Sequence, residues 1–357
     1  MTSLDEAKLK LGELLITGFD GTELSEETSA FFTQSRVGGV LLFAKNYQNP
    51  EQVARLIQQV QECRSELPLW ISVDQEGGRV QRFKEPFTLI PPAAKIGATD
   101  SPKLAYEIAE LMAKELKAVG VNMNFRPIAD ILTNPSNPVI GDRAYGKDEE
   151  LVSKMVTAMC RGHLTAGVQP CVKHFPGHGD TELDSHFALP KIDTPLETLV
   201  DREFRPFVKA FKSHCAFVMT AHIVNPKLDP KLPATLSEKI LKKILREELR
   251  YSKIVISDDL EMQAITDHFG AEDAPRMALQ AGCDLLIYRT EKAARHAYQS
   301  LSNDLENEKL APEVVLEAAK RSMTHKKEAL MPYKEPDFTQ IKKVVGCTEH
   351  KAMIEKL

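Results

Sequence analysis

Eight times along the chain a short apolar run rich in β-branched residues gives way to a longer amphipathic segment, a rhythm that few architectures can accommodate. The runs are LLITGF (14–19), VGGVLLF (37–43), LWISVD (69–74), VNMNF (121–125), VQPCVKH (168–174), CAFVMTAH (215–222), KIVISD (253–258) and CDLLIY (283–288). They are continuous and not alternating, as expected of parallel strands covered by helices on both faces. The segments between them carry helix punctuation. Ser101 and Pro102 stand at the N-cap and first helical positions, apolar residues follow at Leu104, Ile108, Leu111, Met112, Leu116 and Val119, and Gly120 closes the helix. Residues 50–60, 150–164, 196–211, 237–249 and 274–281 repeat the idea. This α/β alternation predicts a closed (β/α)8 barrel of the TIM type, with an open doubly wound sheet as the competitor. No internal repeat or low-complexity linker interrupts it, so 1–357 is expected to be a single domain. From about residue 312 a helix and a lysine-rich tail, MPYKEPDFTQIKK, are expected to pack on the outside.

Composition narrows the partners. A formal net charge of −5 and a pI near 6.1 offer no basic face for a phosphate backbone, so no nucleic acid is expected. The first residues, MTSLDEAKLK, do not lead from basic into apolar sequence, and no run approaches a membrane span, which predicts a cytoplasmic protein without membrane association. Cys63, Cys160, Cys171, Cys215, Cys283 and Cys347 stand singly with no C-x-x-C pair, the pattern of reduced, mostly buried thiols.

In a barrel of this kind chemistry gathers at the C-terminal ends of the strands, so polar residues there should be functional and those at the opposite ends should not. The third run ends in Asp74 and leads into QEGGRVQR; the fourth leads to Arg126 and Asp130; the fifth ends in Lys173 and His174. The sixth ends in His222 and the seventh in the pair Asp258 and Asp259. Burying such groups unpaired is costly, and a common pocket accounts for them together.

The stretch KHFPGHGDTELDSH (173–186) holds three of the ten histidines and admits three readings. His174, His178, Asp184 and His186 have the chemistry of zinc or iron ligands, but they lack the tight H-x-H or H-E-x-x-H spacing, so no metal is expected. A solvated loop with histidines satisfied by the backbone is the plainest reading. The third is a proton shuttle: Asp184 and His186, two apart in an extended loop, lie on the same side, where the carboxylate fixes the imidazole tautomer. Asp258, from another strand end, then supplies a nucleophilic carboxylate, and the two together suit a two-step displacement at an acetal carbon. His178 is expected to hold the loop by hydrogen bonding, with Gly177 and Gly179 supplying φ values that bulky residues avoid and letting the loop swing.

These stretches, with SVDQEGGRVQRF, NPVIGDRAYG, AHIVNPKLDPKLPATLS and ISDDLEM, resemble the glycoside hydrolase family 3 β-N-acetylhexosaminidases, specifically the single-domain type of bacterial peptidoglycan recycling. The resemblance runs from LGELLITGFDG to AGCDLLI. It implies a β/α barrel without metal or organic cofactor, acting as a monomer on a small carbohydrate. It implies Asp258 as nucleophile, His186 as general acid/base and Asp184 as its partner. Sugar-binding roles fall on Asp74, Arg82, Arg143, Lys173 and His174. The implied reaction is retaining release of terminal β-linked N-acetylglucosamine from GlcNAc-1,6-anhydroMurNAc peptides. Transfer to phosphate, attack by the substrate's own acetamide, a metal-dependent hydrolase and a catalytically silent muropeptide sensor are the rivals. Asp258 is expected to stay ionised through Lys173 or Arg143, and Asp259, pointing the other way along the strand, to brace the loop or the barrel.

Overall fold

The computed structural model describes residues 2–64, 66–182 and 189–357. All eight runs are strands: β1 (Leu15–Thr17), β2 (Gly39–Leu42), β3 (Trp70–Val73), β4 (Met123–Asn124), β5 (Gln169–Phe175), β6 (Phe217–Thr220), β7 (Ile254–Asp259) and β8 (Leu285–Tyr288). Each lies parallel to its neighbours in chain order, and β8 closes on β1 through Leu15↔Leu286, Ile16↔Ile287 and Thr17↔Tyr288. That pairing decides between the closed barrel and the open sheet. The helix signals hold as well: Pro102–Ala118 starts on Ser101, whose Oγ accepts from Leu104 N (3.3 Å), and Gly120 follows its end at φ +99°. A hairpin of Gln75–Gly77 and Val80–Gln81 beyond β3 was not foreseen.

Strand alternation sorts the apolar residues into two layers. Ile16, Leu41, Trp70, Met123, Phe125, Cys171, Phe217, Met219, Ile254, Ile256, Leu285 and Ile287 fill the barrel interior. Their sequence neighbours, such as Ile71, Val73, Val172, Val218, Val255 and Leu286, face the surrounding helices. Continuous apolar runs are what this two-sided burial requires.

Helix Pro312–Leu330 packs against the N-terminal end of the barrel, with Ala329 and Leu330 on the interior cluster. His325 stacks on Trp70 at 5.8 Å, Trp70 Nε1 donates to Ser322 Oγ (3.1 Å), and Lys326 Nζ donates to Glu13 Oε2 (2.8 Å) and the Gly38 carbonyl (2.7 Å). The weakly patterned end forms two short helices, Phe338–Val344 and Thr348–Glu355, with His350 Nδ1 2.8 Å from Glu115. Short helices with a single buried side chain, Ile341 in the first, or none, as in the second, leave little periodicity to read. Among the described residues no helix is long and apolar enough to cross a membrane.

Candidate active site

The alternation that fills the barrel also aims the residues at its top. Two positions beyond the last interior side chain come Asp258 on β7 (after Ile256), Lys173 on β5 (after Cys171) and Arg289 after β8 (after Ile287). Asp74 stands in the same relation to β3, four beyond Trp70. All four line a cavity of about 400 Å³ at the C-terminal mouth. Arg82, Arg143 and His174 line it too, so every sugar-binding residue expected from the sequence meets Asp258 there. The peptide between Lys173 and His174 is cis. Asp184 and His186 lie outside the described residues.

The mouth is an ordered array of charges. Lys173 Nζ donates to Asp74 Oδ1 and Glu76 Oε1, both at 2.7 Å, with its side chain only 3% exposed. Arg143 grips Glu76 in a fork, Nε to Oε2 and Nη2 to Oε1, each at 2.8 Å. Arg82 Nη2 stands 3.5 Å from Asp74 Oδ2. Burial would lower the pKa of Lys173, but the charges of Asp74 and Glu76 overcome it and raise the value. Burial would raise Glu76, and Arg143 and Lys173 instead drive it well below the carboxylate range. Arg143 is instead clamped inside by Glu76, with its side chain 12% exposed.

Glu76 is the residue that sequence reasoning passed over. It sits in QEGG, two beyond Asp74, and in the hairpin that follows β3 the same-side spacing of two brings both carboxylates to Lys173. With both oxygens occupied by Arg143 and Lys173, it organises cations more than it offers itself to a ligand.

Asp258 Oδ1 accepts from Asp259 N (2.8 Å). Burial pushes the acid up, yet His174, His222, the Asp259 N–H and Lys173 together hold it below its ordinary value. The expected direction stands, but its sources differ: His174 and His222 lead, Lys173 is lesser, and Arg143 is committed to Glu76. Asp259 is pushed up to about 7 by burial and by the charges of Glu261 and Asp258, against the N–H of Glu261. Two adjacent carboxyls are thus split into one ionised and one near-neutral group. Asp259 does brace the strand ends, accepting from Glu261 N (3.0 Å) and Arg289 N (3.3 Å), and it lines the cavity as well.

Arg126 and Asp130, assigned to a common pocket, are not among its described lining, and His222 is a satisfied buried histidine. Arg126 follows the inward Phe125 and so points outward, where Nε donates to Tyr145 Oη (3.2 Å). His222 is buried between Thr235 Oγ1 (2.8 Å) and the Asp259 carbonyl (2.9 Å). Asp130 is buried behind His174, 2.7 Å from its Nδ1. His178 does hold the turn: Nδ1 lies 2.7 Å from Thr181 Oγ1, and its N donates to Asp130. The glycines beside it serve different ends. Gly177 adopts φ +123°, whereas Gly179 is required by space, since a Cβ there would stand 1.6 Å from the Ile131 carbonyl oxygen. Neither calls for a hinge to explain it. Among the described residues no group of three or more His, Cys, Asp or Glu could hold a metal ion.

Comparison with known proteins follows the same outline. The family model described as glycosyl hydrolase family 3 N terminal domain matches residues 6–324. A Beta-hexosaminidase from Idiomarina loihiensis is 36% identical over 295 residues, covering 82% of this chain and 87% of that protein. Beta-hexosaminidase A of Pseudoalteromonas piscicida is 38% identical over 287 residues, 74% of this chain but 48% of that protein, so the chain spans about half of that longer relative. The solved glycoside hydrolase family 3 β-N-acetylglucosaminidase from Paenibacillus sp. str. FPU-7 superposes with a TM-score of 0.92 at 37% identity, covering 98% of this chain and 67% of that one.

Proposed function

The chain belongs to glycosyl hydrolase family 3 and is a glycoside hydrolase of the β-N-acetylhexosaminidase type, and from that premise we propose a retaining exo-β-N-acetylglucosaminidase working through a covalent intermediate on Asp258. The observation that carries the reading is Asp258 itself: an acid kept ionised despite partial burial, facing a sugar-sized cavity that it shares with Lys173, Asp74 and Arg82. The Asp259 N–H holds Oδ1, which leaves Oδ2 to attack the anomeric carbon. The glycosidic bond breaks as His186, oriented by Asp184, gives its proton to the departing oxygen. Water then enters as His186 takes the proton back, Asp258 leaves, and the configuration is retained. Lys173 and Asp74 offer a donor and an acceptor to sugar hydroxyls, and the Arg143–Glu76 fork keeps the wall rigid.

The finer reading extends to GlcNAc-1,6-anhydroMurNAc peptides as substrate, on the strength of the motifs in 173–186 and 256–262. We further read residues 1–357 as one catalytic unit, cytoplasmic and monomeric, without a cofactor. A second mechanism draws on Asp259, whose near-neutral carboxyl also lines the cavity: the acetamide of the substrate would attack while the two acids orient it.

Asp258→Ala is expected to cut turnover of a nitrophenyl N-acetylglucosaminide by about 10⁴-fold or more while the melting temperature holds. A fluorinated donor should leave a covalent sugar on the Asp258 peptide, seen by mass spectrometry. Tight inhibition by a thiazoline with no covalent adduct would favour the acetamide route. Acceleration by added phosphate would turn the hydrolase into a phosphorylase.

A further inference from the structure

Asp130 takes no place in the lining of the cavity, yet it is fully buried and saturated. Its Oδ2 faces His174 Nδ1 at 2.7 Å, and its Oδ1 accepts from His174 N (3.2 Å) and His178 N (2.7 Å). Burial would raise its pKa, but His174 and then His178 hold it below the ordinary value. An ionised carboxylate only accepts, so His174 Nδ1 must carry the hydrogen. Nε2 is then the ring nitrogen left to act, with a lone pair in the neutral ring, on a residue that lines the cavity. The neighbouring His178 ring, 5.8 Å away and edge-on, does not compete for Oδ2; its Nδ1 meets Thr181 Oγ1, and burial lowers it to about 4.

The tautomer matters because of what surrounds it. Arg82, Arg143 and Lys173 can only donate, Glu76 is saturated, and Asp258 is reserved for the reacting carbon. Among the described polar groups of the wall, Asp74, His174 and the Asp259 carboxyl remain to accept from a sugar hydroxyl. We propose that Asp130 is a positioning residue acting through His174: it locks the imidazole as the Nδ1–H tautomer, so that Nε2 meets a hydroxyl of the sugar as an acceptor. The same carboxylate ties that imidazole to the root of the turn at His178, making the sugar-facing ring and the start of the loop one rigid piece. The sugar half of this inference rests on the proposed glycosidase; the tautomer half does not.

Asp130→Asn separates the two. Two backbone N–H groups keep the amide oxygen in the Oδ1 place, so the amide N–H₂ must face Nδ1 and drive the hydrogen to Nε2. The wall then loses an acceptor and gains a donor. Histidine ¹⁵N spectra of the resting protein should show the Nδ1–H pattern for His174 in the wild type and the Nε2–H pattern in Asp130→Asn. For the nitrophenyl substrate KM should rise about ten- to a hundredfold, the scale of one unsatisfied buried hydrogen bond, with little change in melting temperature. The double variant Asp130→Asn, His174→Asn should be no worse than His174→Asn alone, because the first residue acts through the second. An unchanged tautomer in Asp130→Asn, or losses that simply add in the double variant, would overturn the proposal. A wild type with the Nδ1–H ring but no turnover of any β-N-acetylglucosaminide would support the lock and sink the activity instead.

Discussion

Lys173 at the mouth of the barrel and Lys326 beneath its floor are buried alike, at 2% and 1% exposure, yet they do opposite things. Lys173 meets two carboxylates, its pKa is raised, and it opens on a cavity. Lys326 meets Glu13 and the Gly38 carbonyl, burial lowers its pKa more than Glu13 restores it, and His325 beside it stacks on Trp70. The floor holds a second buried cluster in Asp284, gripped by Arg246 (2.7 Å) and Arg321 (2.8 Å). Polar residues at the unreactive end are therefore not plain, contrary to expectation. What separates the ends is number: the floor sets Lys326 against Glu13 and Asp284 against two arginines, while the mouth gathers Asp74, Glu76, Arg82, Arg143, Lys173 and Asp258 on one cavity.

Removing each lysine tests that contrast. Lys326→Met leaves the half-buried Glu13 with the Ser322 hydroxyl but without its cation, and should cost about 3 kcal/mol of stability, read as a lower urea midpoint, with kcat/KM unchanged where the protein stays folded. Lys173→Met should cost less stability, since Arg143 still serves Glu76 and Arg82 still serves Asp74, but should lower kcat/KM by about 10²- to 10³-fold. The reverse pattern, an inactive floor variant and a merely unstable mouth variant, would erase the distinction. Acid should show the smallest effect. Asp74, Glu76 and Asp130 have folded pKa values below their ordinary ones, so their contribution is full above the usual carboxylate range and fades as pH falls through the folded values. Roughly 1–2 kcal/mol should be gone by pH 4 in urea titrations, and Glu76→Gln should flatten part of that slope. Lys326 runs the other way: its lowered folded value means stability is gained as pH rises through it.

Much of the site was legible because of a period of two. Once β3, β5 and β7 are strands, Trp70, Cys171 and Ile256 inside the barrel force Asp74, Lys173 and Asp258 to face the mouth. The same period, applied strictly, would have turned Arg126 away, since Phe125 before it points in. His174 escapes the rule: it follows Lys173 directly and lines the cavity with it. Glu76 was within reach two residues past Asp74, but its partners, Arg143 and Lys173, lie 67 and 97 positions onward.

The sequence alone determined that this chain would alternate parallel strands with helices and which residues would stand at the strand ends, because hydrophobic continuity and side-chain alternation are local properties of a strand. Closure into a barrel was left to the pairing of β8 with β1. Only the tertiary structure decided which of those charges share a cavity and which are closed off. It committed Arg143 to Glu76, made Asp130 the partner of His174, and turned the tail helix into the floor. Pairing energies of buried charges fall off within a few ångströms, and distances that short are set by packing between segments far apart in the chain.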